Sequence, residues 1–255
     1  MLWYKSWLET RWRFLIGLGI LILMACGAVF GYPAVQELMP IAEQMDAKGP
    51  IGRLIKDAVE IQSNYRGYIW YQWVRQNLTQ MWTLFAVLLG SGGLLAHASG
   101  GAPLFTLALP VSRAQVLWVR AGTALAELFV LAIVPYLVIP VLSPAVAQHY
   151  SLRDVAVHAT CVFVTGSIFF SIALFLSTMF SDIWRPLLIT CAIAVMLALV
   201  ANFPGPPSDY SIFKVMSAES YLRGGGVPWT GLLISATVSA GILYSAATNF
   251  ARQDF

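Results

Sequence analysis

Residues 14–23 read Phe-Leu-Ile-Gly-Leu-Gly-Ile-Leu-Ile-Leu, and residues 186–195 read Pro-Leu-Leu-Ile-Thr-Cys-Ala-Ile-Ala-Val. Each stretch lies inside a longer window without any charged residue, at 14–36 and 186–208. A helix that crosses a bilayer needs about 20 mostly apolar residues. Both windows are long enough, so these two stretches predict transmembrane helices and decide the fold class.

Four further charge-free windows reach the same length, at 76–112, 128–152, 155–181 and 224–251. The chain is 58% hydrophobic and 11% charged, whereas a soluble domain carries about 25% charged residues. In lipid each backbone polar group must be paired within its own segment, so apolar spans of this length are helices. The sequence therefore predicts an all-α integral membrane protein, a single domain over 1–255. The six expected spans lie at about 14–32, 77–97, 118–141, 156–180, 186–202 and 228–249.

The long second window is expected to contain one span and a loop at 98–116, since Ser99–Pro103 is rich in helix-breaking residues. An even number of spans places both termini on one side of the membrane. Lys and Arg are denser in the segments of that side, which favours a cytoplasmic location. We therefore expect a multi-pass plasma-membrane protein with both termini in the cytoplasm.

Two amphipathic segments flank the spans. Residues 2–13 place Trp3, Trp7 and Trp12 on one helical face, which predicts an interfacial helix in the headgroup region; an ordinary extension of the first span is the alternative. Residues 50–62 form a second amphipathic pattern in the first external loop. This external helix either packs on the membrane surface or contributes to substrate binding.

The loop between the fifth and sixth spans contains two clusters of helix breakers. They are Phe203-Pro-Gly-Pro-Pro207 and Gly224-Gly-Gly-Val-Pro228. Such clusters are typical of a partly re-entrant segment and of a plain loop, and the sequence leaves both alternatives open.

No catalytic motif is present. A phosphate-binding loop needs Gly-Lys-Ser/Thr, yet none of the four lysines follows a glycine. Gly90-Ser91-Gly92 does not fit a serine-protease motif, and its small residues instead predict close helix packing. The sequence therefore predicts a protein that is not itself an enzyme and binds no cofactor.

Metal and nucleic-acid sites are not expected either. His158 and Cys161 lie three residues apart with no further soft ligand nearby. All three cysteines lie in apolar stretches, as buried thiols do. A net charge of +3 without a Lys/Arg block gives no surface for nucleic acid.

Glu127 is the one carboxylate deep within an expected span, and Arg120 lies on the same helical face. A charge in this position usually faces a bundle interior or a watery cavity. A functional role and a structural ion pair or hydrogen bond remain equal alternatives.

Three segments resemble the permeases of type-2 ATP-binding cassette (ABC) transporters. The most specific is Phe105-Thr-Leu-Ala-Leu-Pro-Val-Ser-Arg113, because the family carries Leu-Pro-Val-Ser-Arg between spans two and three. Residues 7–14 and 250–255 are similar to the family's beginning and end. The chain departs from the family in having no acidic residue in 97–103.

The resemblance implies a half-permease that pairs with a second permease subunit, identical or not, in a bacterial inner membrane. Each subunit would receive a separate cytoplasmic ABC ATPase, which binds the ATP. The implied ATPase-coupling residues are Leu109, Pro110, Val111, Ser112 and Arg113. Export of a substrate that the sequence does not identify is the expected function, with lipid-like or amphiphilic molecules as one candidate class; the alternative is a stand-alone secondary transporter or channel.

Overall fold

The computed structural model describes residues 2–43, 57–92, 112–180, 182–202 and 211–252. These residues are 88% helical and contain no strand. Five of the described helices are long and apolar enough to cross a membrane. The prediction of an α-helical membrane protein is therefore confirmed.

The helices are numbered in chain order. The first half contains α1 (Leu2–Phe30), α2 (Tyr32–Glu43), α3 (57–62), α4 (Tyr65–Ile69), a π-helix (Trp70–Leu78), α5 (Thr79–Gly90) and α6 (Arg113–Leu142). A short 3₁₀ turn, Ser143–Val146, follows α6. The second half contains α7 (Leu152–Ser177), α8 (Trp184–Asn202), α9 (Ile212–Met216), α10 (Glu219–Leu222) and α11 (Trp229–Arg252).

The long helices run back and forth between two ends of the bundle. We call the end with Leu2, Gly92, Ser112 and Arg252 the terminal end, and the opposite end the distal end. At the centre, α7 packs against α5, α6 and α11, and α1 packs against α6. The most apolar stretch of α7 is 61% buried and that of α8 only 11%, so α8 lies at the periphery.

The first helix differs from the sequence-based division into an interfacial helix at 2–13 and a span at 14–32. Residues 2–30 form one uninterrupted helix. Its buried positions include Ser6, Thr10, Gly17 and Leu21, which recur at helical spacing across the expected boundary. This face packs on α6 and α5 on both sides of Arg13, so both parts of the helix are held by protein contacts.

The second expected span, 77–97, begins earlier than the charge pattern indicates. The chain is helical without a break from Tyr65 to Gly90, through α4, the π-helix and α5. The early part carries polar residues, yet Trp70, Trp73 and Leu78 are fully buried. Burial against protein rather than lipid explains why hydropathy alone misplaces this boundary.

Candidate functional site

The main candidate site is a group of buried polar side chains between α1 and α6, near the terminal end. Glu127 is 5% exposed, and its Oε1 accepts a hydrogen bond from the Thr10 hydroxyl at 2.6 Å. Thr10 lies on α1, one turn after Ser6, and both are buried. The deep carboxylate that the sequence identified is thus held by a neighbouring helix.

Arg120 makes its ion pair with α1 and not with Glu127. Its guanidinium lies 3.8 Å from the Glu9 carboxylate. The two side chains are mostly buried, at 11% and 27% exposure. The expected shared face of Arg120 and Glu127 is present, but each has its partner one helix away. A sequence alone could not give these partners, because they lie more than 100 positions away.

Arg13 extends this group to α5. Its Nη1 donates a hydrogen bond to the Leu88 carbonyl at 3.0 Å, near the end of that helix. Carbonyls in the last turn of a helix have no partner within the helix. A cation at this end also interacts favourably with the negative end of the helix dipole. The group of Glu9, Thr10, Arg13, Arg120 and Glu127 is called the α1 clamp below.

Small residues on α1 allow the clamp to form. The buried face of α1 contains Ser6, Thr10, Gly17, Ala25 and Ala28. Helices in lipid approach closely where side chains are small, and short polar side chains then hydrogen-bond across the contact. The sequence pattern therefore positions Thr10 within reach of α6.

The clamp is incompletely paired within the described part of the chain. Glu127 Oε2 and Arg120 Nε are buried and have no hydrogen-bond partner there, and the same holds for Ser6 Oγ, one turn before Thr10 on α1. Buried polar atoms in native proteins are nearly always paired, and exceptions concentrate at functional sites. These unpaired buried atoms make the clamp the main candidate for a functional site.

The three tryptophans expected as interfacial anchors are all exposed. The exposed fractions of Trp3, Trp7 and Trp12 are 58%, 40% and 64%. Trp3 lies seven residues before Thr10 and is therefore on the same face of α1 as that clamp residue. Trp3 also lies against Gly122 of α6, where a Cβ would come within 2.8 Å of the ring.

The expected coupling loop, 98–116, is described only at its end. Leu109, Pro110 and Val111 lie outside the described residues. Ser112 caps the N-terminus of α6, because its Oγ accepts a hydrogen bond from the Gln115 amide at 3.2 Å. Arg113 is the first helical residue, so the helix begins five residues before the expected span at 118.

A second polar cluster, at the distal end, was not identified from the sequence. Asp154 accepts two hydrogen bonds from Arg66, at 2.8 and 3.1 Å, and one from the Tyr221 hydroxyl at 2.8 Å. These contacts join α4, α7 and α10. Bidentate pairing of this kind is strong and geometrically specific, so it holds these three helices together at the distal end.

Buried aromatic hydroxyls surround this cluster. The hydroxyls of Tyr136 and Tyr150 lie 2.8 Å apart, and Tyr136 stacks on His158 with ring centroids 5.9 Å apart. Burial raises the pKa of Tyr150 above its ordinary value, so this phenol remains a neutral hydrogen-bonding group. His158 Nδ1 is 2.6 Å from the Asp154 carbonyl. A spacing of four residues between Asp154 and His158 was the only sequence signal for this cluster.

Within the described ranges, no group of three His, Cys, Asp or Glu side chains is arranged to hold a metal ion. Cys161 is buried, while Cys26 and Cys191 are partly exposed. Compared with family models, curated proteins and solved structures, the chain matches none of them. The fold itself defines the class: an α-helical, multi-pass membrane protein.

Proposed function

We propose that this chain is the transmembrane permease subunit of an ABC exporter, driven by a separate cytoplasmic ATPase. The observation that carries the proposal is the position of the α1 clamp. Arg13 contacts the end of α5, and Thr10 and Glu9 contact α6. These two helices flank residues 93–111, which contain most of the Leu-Pro-Val-Ser-Arg element. A force applied to this loop by a docked ATPase would reach three helices at once.

In this proposal the continuous helix from Tyr65 to Gly90 is the sixth transmembrane span. The terminal end then faces the cytoplasm of a bacterial cell. A second permease subunit, identical or different, completes the translocation path. In this proposal the substrate is lipid-like or amphiphilic.

The experiment uses the chain coexpressed and copurified with an ABC ATPase, which is to be sought first in the neighbouring reading frames. Val111→Asp would place a carboxylate in the docking loop. A desolvated, unpaired charge at an interface costs several kcal/mol, so copurification should fall at least tenfold. The matched control is Ala145→Asp. Ala145 is an exposed residue of the 3₁₀ turn Ser143–Val146 at the distal end, so this variant should leave copurification unchanged.

A variant of the α1 clamp distinguishes binding of the ATPase from the coupling of its ATP turnover to the permease. Thr10→Val removes the hydroxyl that hydrogen-bonds to Glu127. The ATPase should still copurify, but its turnover should respond less to lipid and candidate substrates. Sustained ATP hydrolysis by the isolated chain, or full ATPase binding by Val111→Asp, would contradict the proposal.

A further inference from the structure

A cavity of about 220 Å³ opens at the distal end of the bundle, whereas the clamp lies near the terminal end. It lies between the π-helix, the end of α8 and the segment 211–219. The side chains that define its chemistry are Arg75, Lys214, Glu219, Ser211, Ala198 and Ala201. Neither the clamp nor the Asp154 cluster contributes to it.

The cavity has an excess of positive charge. Among the described carboxylates, none lies within ion-pair distance of Arg75 or Lys214. The third charged group, Glu219, is paired with Arg223 at 3.0 Å. Two cations on the wall of one cavity favour an anion, and serine and threonine hydroxyls nearby add hydrogen-bonding groups.

The cationic wall is built into the structure. The Arg75 guanidinium lies over the rings of Trp70 and Tyr71, 5.8 and 5.6 Å from their centroids. Trp70 Nε1 donates a hydrogen bond to the Ser217 carbonyl at 2.7 Å, which ties segment 211–219 to the π-helix. Short π-helical stretches occur frequently at functional sites. The two cations are therefore carried by elements that are fixed to each other.

The remaining wall is apolar and continues onto the bundle surface. Ala198 and Ala201 belong to α8, the least buried of the long helices. Leu197, one turn before Ala201 on α8, is 40% exposed, and α8 exposes further large apolar side chains around its surface, with Met196 at 62% and Val200 at 67%. A ligand whose charged part lies in the cavity can thus extend an apolar part along α8.

We propose that this cavity binds the phosphate headgroup of an anionic amphiphile, whose acyl chains lie along α8. Arg75 and Lys214 contact the phosphate oxygens. Glu219, on the same wall, limits the affinity by repelling the phosphate. The site does not depend on an ATPase partner, so it is independent of the proposed function.

The test measures lipid binding to the purified full chain in detergent by native mass spectrometry. Phosphatidylglycerol should bind at least tenfold more tightly than phosphatidylcholine with the same acyl chains. Each of Arg75→Gln and Lys214→Gln should weaken phosphatidylglycerol binding by about tenfold, because each removes a charge-assisted hydrogen bond. Inorganic phosphate is the soluble probe and should compete only weakly, since it lacks the apolar part.

Two matched variants make the result specific. Arg153→Gln removes an exposed cation at the same end but outside the cavity, and should leave the lipid preference unchanged. Glu219→Gln should strengthen phosphatidylglycerol binding, an effect that a loss of folding cannot produce. Equal binding of the two lipids, or an unchanged preference in the Arg75→Gln/Lys214→Gln double variant, would overturn the proposal. Phosphate competing as strongly as the lipid would overturn the assignment of an amphiphile.

Discussion

At the scale of single residues, Gly90 shows how closely the helices of this bundle approach each other. A Cβ at this position would lie 2.7 Å from the Phe170 carbonyl oxygen and 2.8 Å from the Ala173 Cβ. The first of these neighbours is backbone and cannot rotate away. The close packing that the sequence predicted for Gly90-Ser91-Gly92 is confirmed at Gly90.

Gly90→Ala should destabilise the contact between α5 and α7. Forcing a methyl group into a well-packed interior costs about 1–3 kcal/mol. The control is Gly19→Ala, because Gly19 has no atom within 4 Å of its would-be Cβ and alanine is the better helix former. Thermal unfolding of both variants in detergent, followed by tryptophan fluorescence, should show a lower midpoint for Gly90→Ala only. Equal midpoints would show that the two helices are not in contact here.

At the scale of elements, segment 211–222 is folded into the distal end rather than lying free. Val215, Met216 and Ala218 are buried. Met216 reaches Thr83, whose hydroxyl is 3.9 Å from its sulfur, so the segment enters between helices. The described part of this loop is therefore packed into the bundle rather than lying on its surface.

Trp70→Phe should loosen this segment. It keeps an aromatic ring but removes the only indole donor to the Ser217 carbonyl, leaving a buried acceptor unpaired. Such a loss costs about 1–3 kcal/mol. Hydrogen–deuterium exchange should therefore become faster in 211–222 while α7 remains protected.

The control for Trp70→Phe is Trp229→Phe, because Trp229 is 67% exposed. Its exchange pattern should match that of the unmodified protein. If Trp70→Phe also leaves the exchange of 211–222 unchanged, the hydrogen bond does not hold the segment in place.

At the scale of the whole molecule, helix direction assigns each end of the bundle to one side of the membrane. Ser112 and Arg252 lie at the terminal end, and Gln148 and Ser220 at the distal end. Single cysteines at these four sites, in a background without the three native cysteines, should react with a membrane-impermeant reagent in two pairs. Ser112→Cys and Arg252→Cys should react only from the cytoplasmic side.

A variant that keeps native Cys161 as its one cysteine is the control for this experiment. It is buried within α7, so it should stay unreactive from either side in the folded protein. Labelling of Ser112→Cys and Gln148→Cys from the same side would show that α6 does not cross the membrane. Labelling of both pairs from reversed sides would contradict the cytoplasmic location of the termini.

The sequence predicted the class of fold because hydropathy is a local property. Apolar windows such as 186–208 are independent of what surrounds them, and lipid requires such windows to be helical. The same reasoning identified Arg120 and Glu127, since a charge within an apolar span is costly and conspicuous. It misplaced the start of the second helix, where burial by protein replaces burial by lipid.

What the sequence by itself determined is the helical membrane fold, the approximate positions of most long helices and the identity of the unusual intramembrane charges. Only the tertiary structure decided what those charges contact: Glu9 and Thr10 on α1 for Arg120 and Glu127. It alone brought Arg66 to Asp154 and Arg75 to the same cavity as Lys214. The physical reason is that a span's apolar content follows from its own residues, whereas the partner of a buried polar group depends on which helices pack together.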